Sequence, residues 1–161
     1  QWFMGPVTQV TAYTGTLAHE NIEVEDTAVA VLQFASGALG VIEGTTGAYP
    51  GFYTRIELSG SKGSVILEEE NLAMWKFADE EAQDEQIRQD YAARTATGGG
   101  AADPAAIGYH GHTIQFKNVI QAIESKGTPL VDGNEARKAV EIIQAIYKSA
   151  STGAPVSLPL T

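Results

Sequence analysis

Histidines are the side chains of this sequence best suited to proton transfer near neutral pH, because imidazole titrates in that range. His110 and His112 end the stretch GGGAADPAAIGYHGH, residues 98–112, and the third histidine is His19. Glycine and other small residues dominate this stretch. It therefore has three interpretations: a phosphate-binding loop, a metal site, or a mobile loop over a substrate pocket.

The spacing of the glycines disfavours a phosphate-binding loop. A P-loop requires G-x-x-x-x-G-K-[ST], whereas GSKGS at residues 60–64 is shorter and lies where a hairpin turn is expected. The sequence also lacks the G-x-G-x-x-G fingerprint, so it predicts no cofactor-binding residues of the dinucleotide type. We interpret the glycine run as a flexible loop and expect high mobility over residues 98–102.

The spacing of possible ligands predicts no metal site. A firm site needs a third and usually a fourth ligand, and no H-x-x-x-H or E-x-x-H spacing accompanies His110 and His112. The two histidines are then either surface residues without a role or hydrogen-bond partners of a substrate.

Three acidic clusters lack the D-x-D-x-D-G order of a calcium loop, and we predict that they are solvated. They are EVED at residues 23–26, EEE at 68–70 and DEEAQDE at 79–85. A hydrolase built on paired carboxylates stays open, because spacing along the chain does not give spacing in the fold. No Ser/His/Asp arrangement has motif support.

Composition restricts the class of protein. The 161 residues suit a single domain, and 10 basic against 20 acidic residues give a net charge of -10, which disfavours nucleic acid and membrane surfaces as partners. The sequence has no cysteine, which excludes disulfides and thiolate catalysis and suits a reducing, cytoplasmic location. No apolar run is long enough to span a membrane.

The first half of the sequence predicts strands, because short β-branched runs alternate with glycine-rich turns. The six predicted strands cover residues 7–17, 26–34, 38–46, 53–60, 64–70 and 72–77. Their short connections favour hairpins and hence a largely antiparallel sheet. The opening QWFMGP has the pattern of a helix end, which suggests a piece of a longer chain.

The last third of the sequence predicts two helices, and the acidic segment 78–94 allows a short third one. The first ends near Lys126, and its apolar stripe follows i, i+3, i+4, i+7 spacing at Phe116, Val119, Ile120 and Ile123. The second has Asp132 as its N-cap and ends before Gly153. Its predicted apolar stripe comprises Ala136, Ala139, Val140, Ile143, Ile146 and Tyr147.

Strands followed by helices predict an α+β fold, an open antiparallel sheet with helices packed on one face. Two helices cannot cover both faces of such a sheet. We therefore expect the open face to be covered by another domain or, in a homo-oligomer, by another subunit.

The order of segments resembles the C-terminal domain of the glucose-fructose oxidoreductase, inositol dehydrogenase and rhizopine-catabolism (Gfo/Idh/MocA) family. The resemblance covers essentially the whole chain. Its most specific parts are DTAVAVLQFASGALG, RIELSGSKGS and GTPLVDGNEARKAVEIIQAIYKS.

The resemblance implies the substrate and oligomerisation domain of an oxidoreductase that uses NAD or NADP, bound by an N-terminal Rossmann domain, to transfer hydride at a carbinol carbon of a sugar or polyol. The family's catalytic lysine precedes a proline, and its catalytic histidine ends G-G-x-x-x-D-x-x-x-H; neither motif occurs here. The resemblance therefore implies no catalytic residue and no cofactor in these residues, and an inactive fragment. The alternative is a binding or assembly module without catalysis.

The segment of residues 109–115 lies near the substrate pocket in members of this family. The resemblance therefore implies substrate contacts from His110 and His112, with Tyr109 and Gln115 behind them. Many members have an aspartate where this sequence has Asn118, which puts any charge-dependent role there in doubt. Arg55, Tyr49 and Tyr53 are weaker candidates, and the arginine is more often structural.

Overall fold

The computed structural model describes residues 1–69, 71–91 and 108–160. The chain divides into two compact units, one of residues 1–48 and 112–161 and the other of residues 49–111. The predicted mobility of residues 98–102 lies outside the described residues.

The described residues confirm the six predicted strands and the two predicted helices, contain a helix in the acidic segment that allowed one, and add one short strand. The strands are β1 (Val7–Gly15), β2 (Thr27–Phe34), β3 (Leu39–Thr45), β4 (Arg55–Gly60), β5 (Gly63–Glu68), β6 (Asn71–Phe77) and β7 (Val156–Ser157). The helices are α1 (Ala82–Tyr91), α2 (His110–Ser125) and α3 (Gly133–Thr152).

The strands form two antiparallel sheets rather than one. The first unit contains a four-stranded sheet in the order β3-β2-β1-β7, and the second contains a three-stranded sheet in the order β4-β5-β6. The predicted α+β class with open antiparallel strands is confirmed. The added strand, β7, pairs with β1 only at Gln9 and Val10.

The core of the first unit lies between the four-stranded sheet and α3. Alternation along the strands directs small and branched side chains to the face that α3 covers. The buried residues are Val7, Val10, Ala12, Ala30, Leu32, Phe34, Ile142, Ala145, Ile146 and Val156. The opposite face carries exposed side chains, among them Tyr13, Val31 and Val41.

Helix α3 begins and ends as predicted. The Asp132 side chain accepts hydrogen bonds from the backbone N–H groups of Asn134 and Glu135, and these satisfy donors that the helix leaves unpaired. Gly153 has a φ of 65° and donates its N–H to the Ser149 carbonyl, which closes the last turn in the left-handed conformation that favours glycine.

The predicted apolar stripe of α3 was wrong in most of its positions. Ile146 is buried, but Val140, Ile143 and Tyr147 are exposed. The face against the sheet is instead formed by Ile142, Ala145, Ile146 and Ser149. Small residues at two of these positions allow the helix backbone to approach the strands closely. The prediction was wrong because it assigned the buried side to the larger apolar residues.

The second unit consists of the three-stranded sheet and α1. A Cβ atom on Gly63 would collide with the ring of Phe77, so this hairpin end requires glycine. The ring of Phe77 packs edge-on against Trp75, with centroids 5.1 Å apart. Helix α1 contacts β6 through side-chain hydrogen bonds described below.

Candidate functional site

The four predicted substrate residues lie at the N-terminal end of α2. Tyr109 precedes the helix, His110 is its first residue, and His112 and Gln115 follow within its first two turns. All four are exposed. Their assignment to a substrate stays a prediction.

Helix geometry brings some of these residues together and separates others. Residues three and four positions apart share a face, which places His112 and Gln115 on the side that continues through Phe116 and Val119. His110 is two positions from His112 and points to a different side. The exposed end of α2 therefore presents two polar side chains together, a geometry suited to hydrogen bonds with vicinal hydroxyls.

The C-terminal half of helix α2 is hydrogen-bonded to the loop that follows it. Ala122 is its buried residue, and its carbonyl accepts a hydrogen bond from Gly127 at 2.8 Å. The Oδ1 atom of Asn118 accepts the backbone N–H of Leu130 at 2.8 Å, which ties the following loop to the helix. Asn118 thus has a structural partner that requires an acceptor but no charge.

Arg55 has the structural environment expected for it. Its Nη1 donates to Glu68 Oε1 at 2.9 Å across the β4–β5 pair, and its Nε forms an ion pair with Glu57. Two carboxylates on the same sheet face therefore occupy the guanidinium. Tyr49 and Tyr53 are exposed in the segment before β4.

The prediction that residues 23–26 are solvated was wrong for Asp26, which is only 4% exposed. The Oδ2 atom accepts the backbone N–H groups of Ala18 and His19 at 2.7 and 2.9 Å, and both oxygens accept that of Leu17. The Thr27 hydroxyl donates to Oδ1, and the Nδ1 of His19 lies 3.2 Å from Oδ2. The backbone N–H of Leu17, followed by that of Ala18, holds the pKa of Asp26 well below its usual range.

The predicted solvation of residues 79–85 was wrong for Asp84, which is buried. Its Oδ1 accepts the indole N–H of Trp75 at 2.8 Å and its Oδ2 accepts the backbone N–H of Glu81, and these two bonds lower the pKa of the carboxyl. Arg88 pairs with Glu80 and Glu85 and donates to the carbonyl of Trp75. This network attaches α1 to β6.

These buried carboxylates were missed because each belongs to a run of acidic residues, and composition suggests that the whole run is solvated. Asp26 directly precedes β2, and Asp84 lies in the first turn of α1. Only the fold shows that backbone amides and an indole surround them. Asp26 stabilises the loop before β2, and Asp84 attaches α1 to β6.

The described residues do not fit a metal or a nicotinamide dinucleotide. Among them, no group of three or more His, Cys, Asp or Glu side chains is placed to hold a metal ion. Every strand pair described is antiparallel, whereas a dinucleotide site is built on a parallel strand, glycine-rich turn and helix. No helix within the described ranges has the length and apolar character to cross a membrane.

A family model described as "Oxidoreductase family, C-terminal alpha/beta domain" matches residues 1–158 and spans both units. The chain belongs to the Gfo/Idh/MocA oxidoreductase family. This confirms the resemblance and makes the chain part of an oxidoreductase family with NAD-dependent members.

Solved structures of Gfo/Idh/MocA proteins share this fold. The WlbA dehydrogenase of Bordetella pertussis, in complex with NADH and UDP-GlcNAcA, is 34% identical with a TM-score of 0.81. The match covers 99% of this chain and 44% of that chain. The WlbA dehydrogenase of Chromobacterium violaceum, with the same two ligands, is 37% identical with a TM-score of 0.79 and covers 99% and 42%.

A curated member of the family also matches part of the chain. The myo-inositol 2-dehydrogenase of Thermotoga maritima is 54% identical over 43 residues, which are 27% of this chain and 13% of that protein. The chain thus spans less than half the length of each of these three relatives. The activity of a complete protein is therefore a matter of proposal.

Proposed function

We propose that this chain is the substrate-binding and oligomerisation domain of an NAD(P)-dependent oxidoreductase that acts on a sugar, polyol or related carbinol by hydride transfer. The observation that supports this most directly is the 34% and 37% identity, over 99% of the chain, to two dehydrogenases whose structures contain NADH and a sugar nucleotide. The nicotinamide belongs to another domain, because the described residues do not form a dinucleotide site.

The contribution of this chain is to hold the hydroxyls of the substrate. His112 and Gln115 share one face of α2 and can each donate or accept a hydrogen bond, so together they can fix the orientation of two neighbouring hydroxyls. His110 and Tyr109 extend the same helix end. A site of this kind positions the carbinol carbon and leaves the redox chemistry to the cofactor.

Within this class we propose a nucleoside diphosphate sugar as the substrate. The two relatives above are bound to UDP-GlcNAcA, which unites a sugar ring with a nucleotide. A simple polyol is the competing substrate, favoured by the shorter match to the inositol dehydrogenase. Oxidation rates with UDP-GlcNAcA and with myo-inositol distinguish the two.

The test is a fusion in which this chain replaces the matched region of the Bordetella pertussis WlbA dehydrogenase. We expect the fusion to reduce NAD in the presence of UDP-GlcNAcA and the 161 residues alone to show no turnover. His112→Ala in the fusion is expected to lower kcat/KM about tenfold to hundredfold, which is the usual effect of losing one hydrogen bond to a substrate hydroxyl.

The matched control is Gln121→Ala, an exposed polar residue elsewhere on the same helix. It should leave kcat/KM unchanged. NAD reduction by the 161 residues alone would contradict the proposal that another domain binds the nicotinamide cofactor. A folded fusion that binds UDP-GlcNAcA without turnover would favour the alternative, a binding or assembly module without catalysis.

We also propose that the chain forms a homo-oligomer through the uncovered face of the four-stranded sheet. Strand register aligns Tyr13 with Val29 and Val31 with Val41, so these four side chains lie side by side on that face. All four are exposed. An apolar patch of this kind on a chain with a net charge of -10 is typical of a protein interface.

A further inference from the structure

Glu43 is the charged residue among those that β1, β2 and β3 direct to the uncovered face of the four-stranded sheet. Residues directly opposite each other on antiparallel strands point to the same side of a sheet, so the strand register identifies the members of this face. They are Gln9, Thr11, Tyr13, Gly15, Thr27, Val29, Val31, Gln33, Leu39, Val41, Glu43 and Thr45. The isolation of one carboxylate is notable in a chain with 10 basic and 20 acidic residues.

Tyr13 and Glu43 lie in the same row of this face, on either side of Val29. Tyr13 is opposite Val29, and Val29 is opposite Glu43. The two residues are therefore about 10 Å apart at the usual spacing of strands, with β2 between them. Both are exposed, and within the described residues neither side chain takes part in a hydrogen bond or an ion pair. The row thus presents a hydroxyl donor and a carboxylate acceptor that do not bond to each other in one copy.

We propose that two copies of this chain stack through this face about a two-fold axis along β2, so that the Tyr13 hydroxyl of each copy donates to the Glu43 carboxylate of the other. The inference rests on the proposed homo-oligomer. Rotation about such an axis exchanges the strands on either side of β2 and keeps each residue at its level, which lays β1 of one copy over β3 of the other. Tyr13 then faces Glu43 at both ends of the row, and Val29 meets Val29.

The outward residues of β2 suit an axis at this position. Val29 and Val31 each meet their own kind, and the hydroxyl of Thr27 and the amide of Gln33 can both donate and accept, so each can pair with its equivalent. An axis along β3 would instead place two Glu43 carboxylates against each other. An axis along β1 would leave β3 and its exposed apolar side chains outside the contact.

The pairing offsets the cost of burying Glu43. A carboxylate that is removed from water without a partner opposes association, whereas a hydroxyl on the facing copy forms a charge-assisted hydrogen bond with it. The pair forms twice in a two-fold contact. A displacement of one copy by two residues along the strands, about 7 Å, would break both pairs, so they also set the register of the two sheets.

The test is a double-mutant cycle on the self-association of the 161-residue chain. Analytical ultracentrifugation gives the dissociation constants of the wild type, Tyr13→Phe, Glu43→Gln and the double variant. Tyr13→Phe removes the donor hydroxyl and leaves the carboxylate buried without it, so we expect a dissociation constant about tenfold to hundredfold higher. In the Glu43→Gln background the same change should raise the dissociation constant at most about fivefold, because a neutral amide is less costly to bury.

Tyr53→Phe is the matched control, since Tyr53 is an exposed tyrosine outside the sheet face, and it should leave the dissociation constant unchanged. Circular dichroism verifies that each variant keeps the fold. Equal effects of Tyr13→Phe in the two backgrounds would overturn the pairing and leave the proposed homo-oligomer in place. A wild-type chain that is monomeric at every concentration would refute the homo-oligomer and the pairing with it.

Discussion

At the scale of single residues, Asp26 has the densest set of polar contacts in the first unit. Three successive backbone N–H groups, from Leu17 to His19, converge on its carboxylate, and the loop before β2 is folded around it. An anion in such a ring of donors is stabilised strongly relative to its neutral form. The loop therefore depends on the charge of one side chain.

We predict that Asp26→Asn destabilises the protein at neutral pH, because an amide supplies one acceptor oxygen and directs an NH2 group at backbone donors. The pKa of Asp26 is lowered in the folded state, so its contribution is complete above the unfolded pKa of about 3.9 and is lost as the pH falls towards the folded value. The difference between wild type and variant in free energy of unfolding, measured with urea, should shrink steadily below about pH 4.

Glu23→Gln is the control for this prediction, since Glu23 belongs to the same acidic run but is exposed. It should change stability little at any pH. A difference between wild type and Asp26→Asn that stays constant from neutral to acidic pH would show that the carboxylate charge is not the cause.

At the scale of elements, periodicity and turn residues were sufficient to predict the six strands and the limits of α3. Asp132 and Gly153 act as the caps that their types and positions indicate. The orientation of the helices was not predictable in the same way. Helix α3 has apolar residues on two sides, and the side with Ala145 and Ser149 packs on the sheet because small residues permit close approach.

The candidate site was also predictable only in part, because helical spacing gives the relative positions of side chains but not their contacts in the fold. Sequence reasoning located His112 and Gln115 at the start of a helix, and helical spacing then places them on one side. Sequence alone did not reveal that the apolar side of α2 is exposed, because an amphipathic pattern does not show which side of a helix packs against the protein. The sequence singled out Asn118 as a departure from the family's aspartate, but it did not reveal the hydrogen bond that Asn118 accepts from Leu130.

We predict that Asn118→Leu releases the loop after α2, whereas Asn118→Asp keeps it attached. Leucine removes the acceptor of the Leu130 N–H, and a carboxylate retains it. Hydrogen exchange of the Leu130 amide, followed by NMR, should accelerate about tenfold in Asn118→Leu and remain near the wild-type rate in Asn118→Asp. Equal acceleration in both variants would mean that the side-chain oxygen is not what holds the loop.

At the scale of the whole molecule, the described residues leave several apolar surfaces exposed. The uncovered sheet face carries Tyr13, Val29, Val31 and Val41, and we assign it to a second copy of the chain. The candidate substrate residues lie on α2 and not on this sheet face. Self-association and substrate binding therefore do not compete for the same residues.

We predict that Val41→Glu weakens self-association without unfolding the protein. Val41 is 72% exposed, so the chain tolerates a charge there, but a carboxylate buried between two copies lacks a partner. Analytical ultracentrifugation should show a dissociation constant raised about tenfold or more. Val140→Glu, at an exposed valine of α3, is the control and should associate like the wild type. A wild-type chain that stays monomeric at every concentration would refute the assigned sheet face.

The hydroxyl of Ser149 affects how two copies of the chain can associate through the four-stranded sheet. Beyond the two residues that pair with β7, the backbone N–H of Ala12 in β1 donates to Ser149 Oγ at 3.0 Å, and that hydroxyl in turn donates to the Ala154 carbonyl. A strand from another molecule that added itself here would have to displace a side chain of α3. Growth of the sheet by strand addition is thus blocked along the margin of β1 beyond β7, and β3 is left as the edge at which another strand could pair.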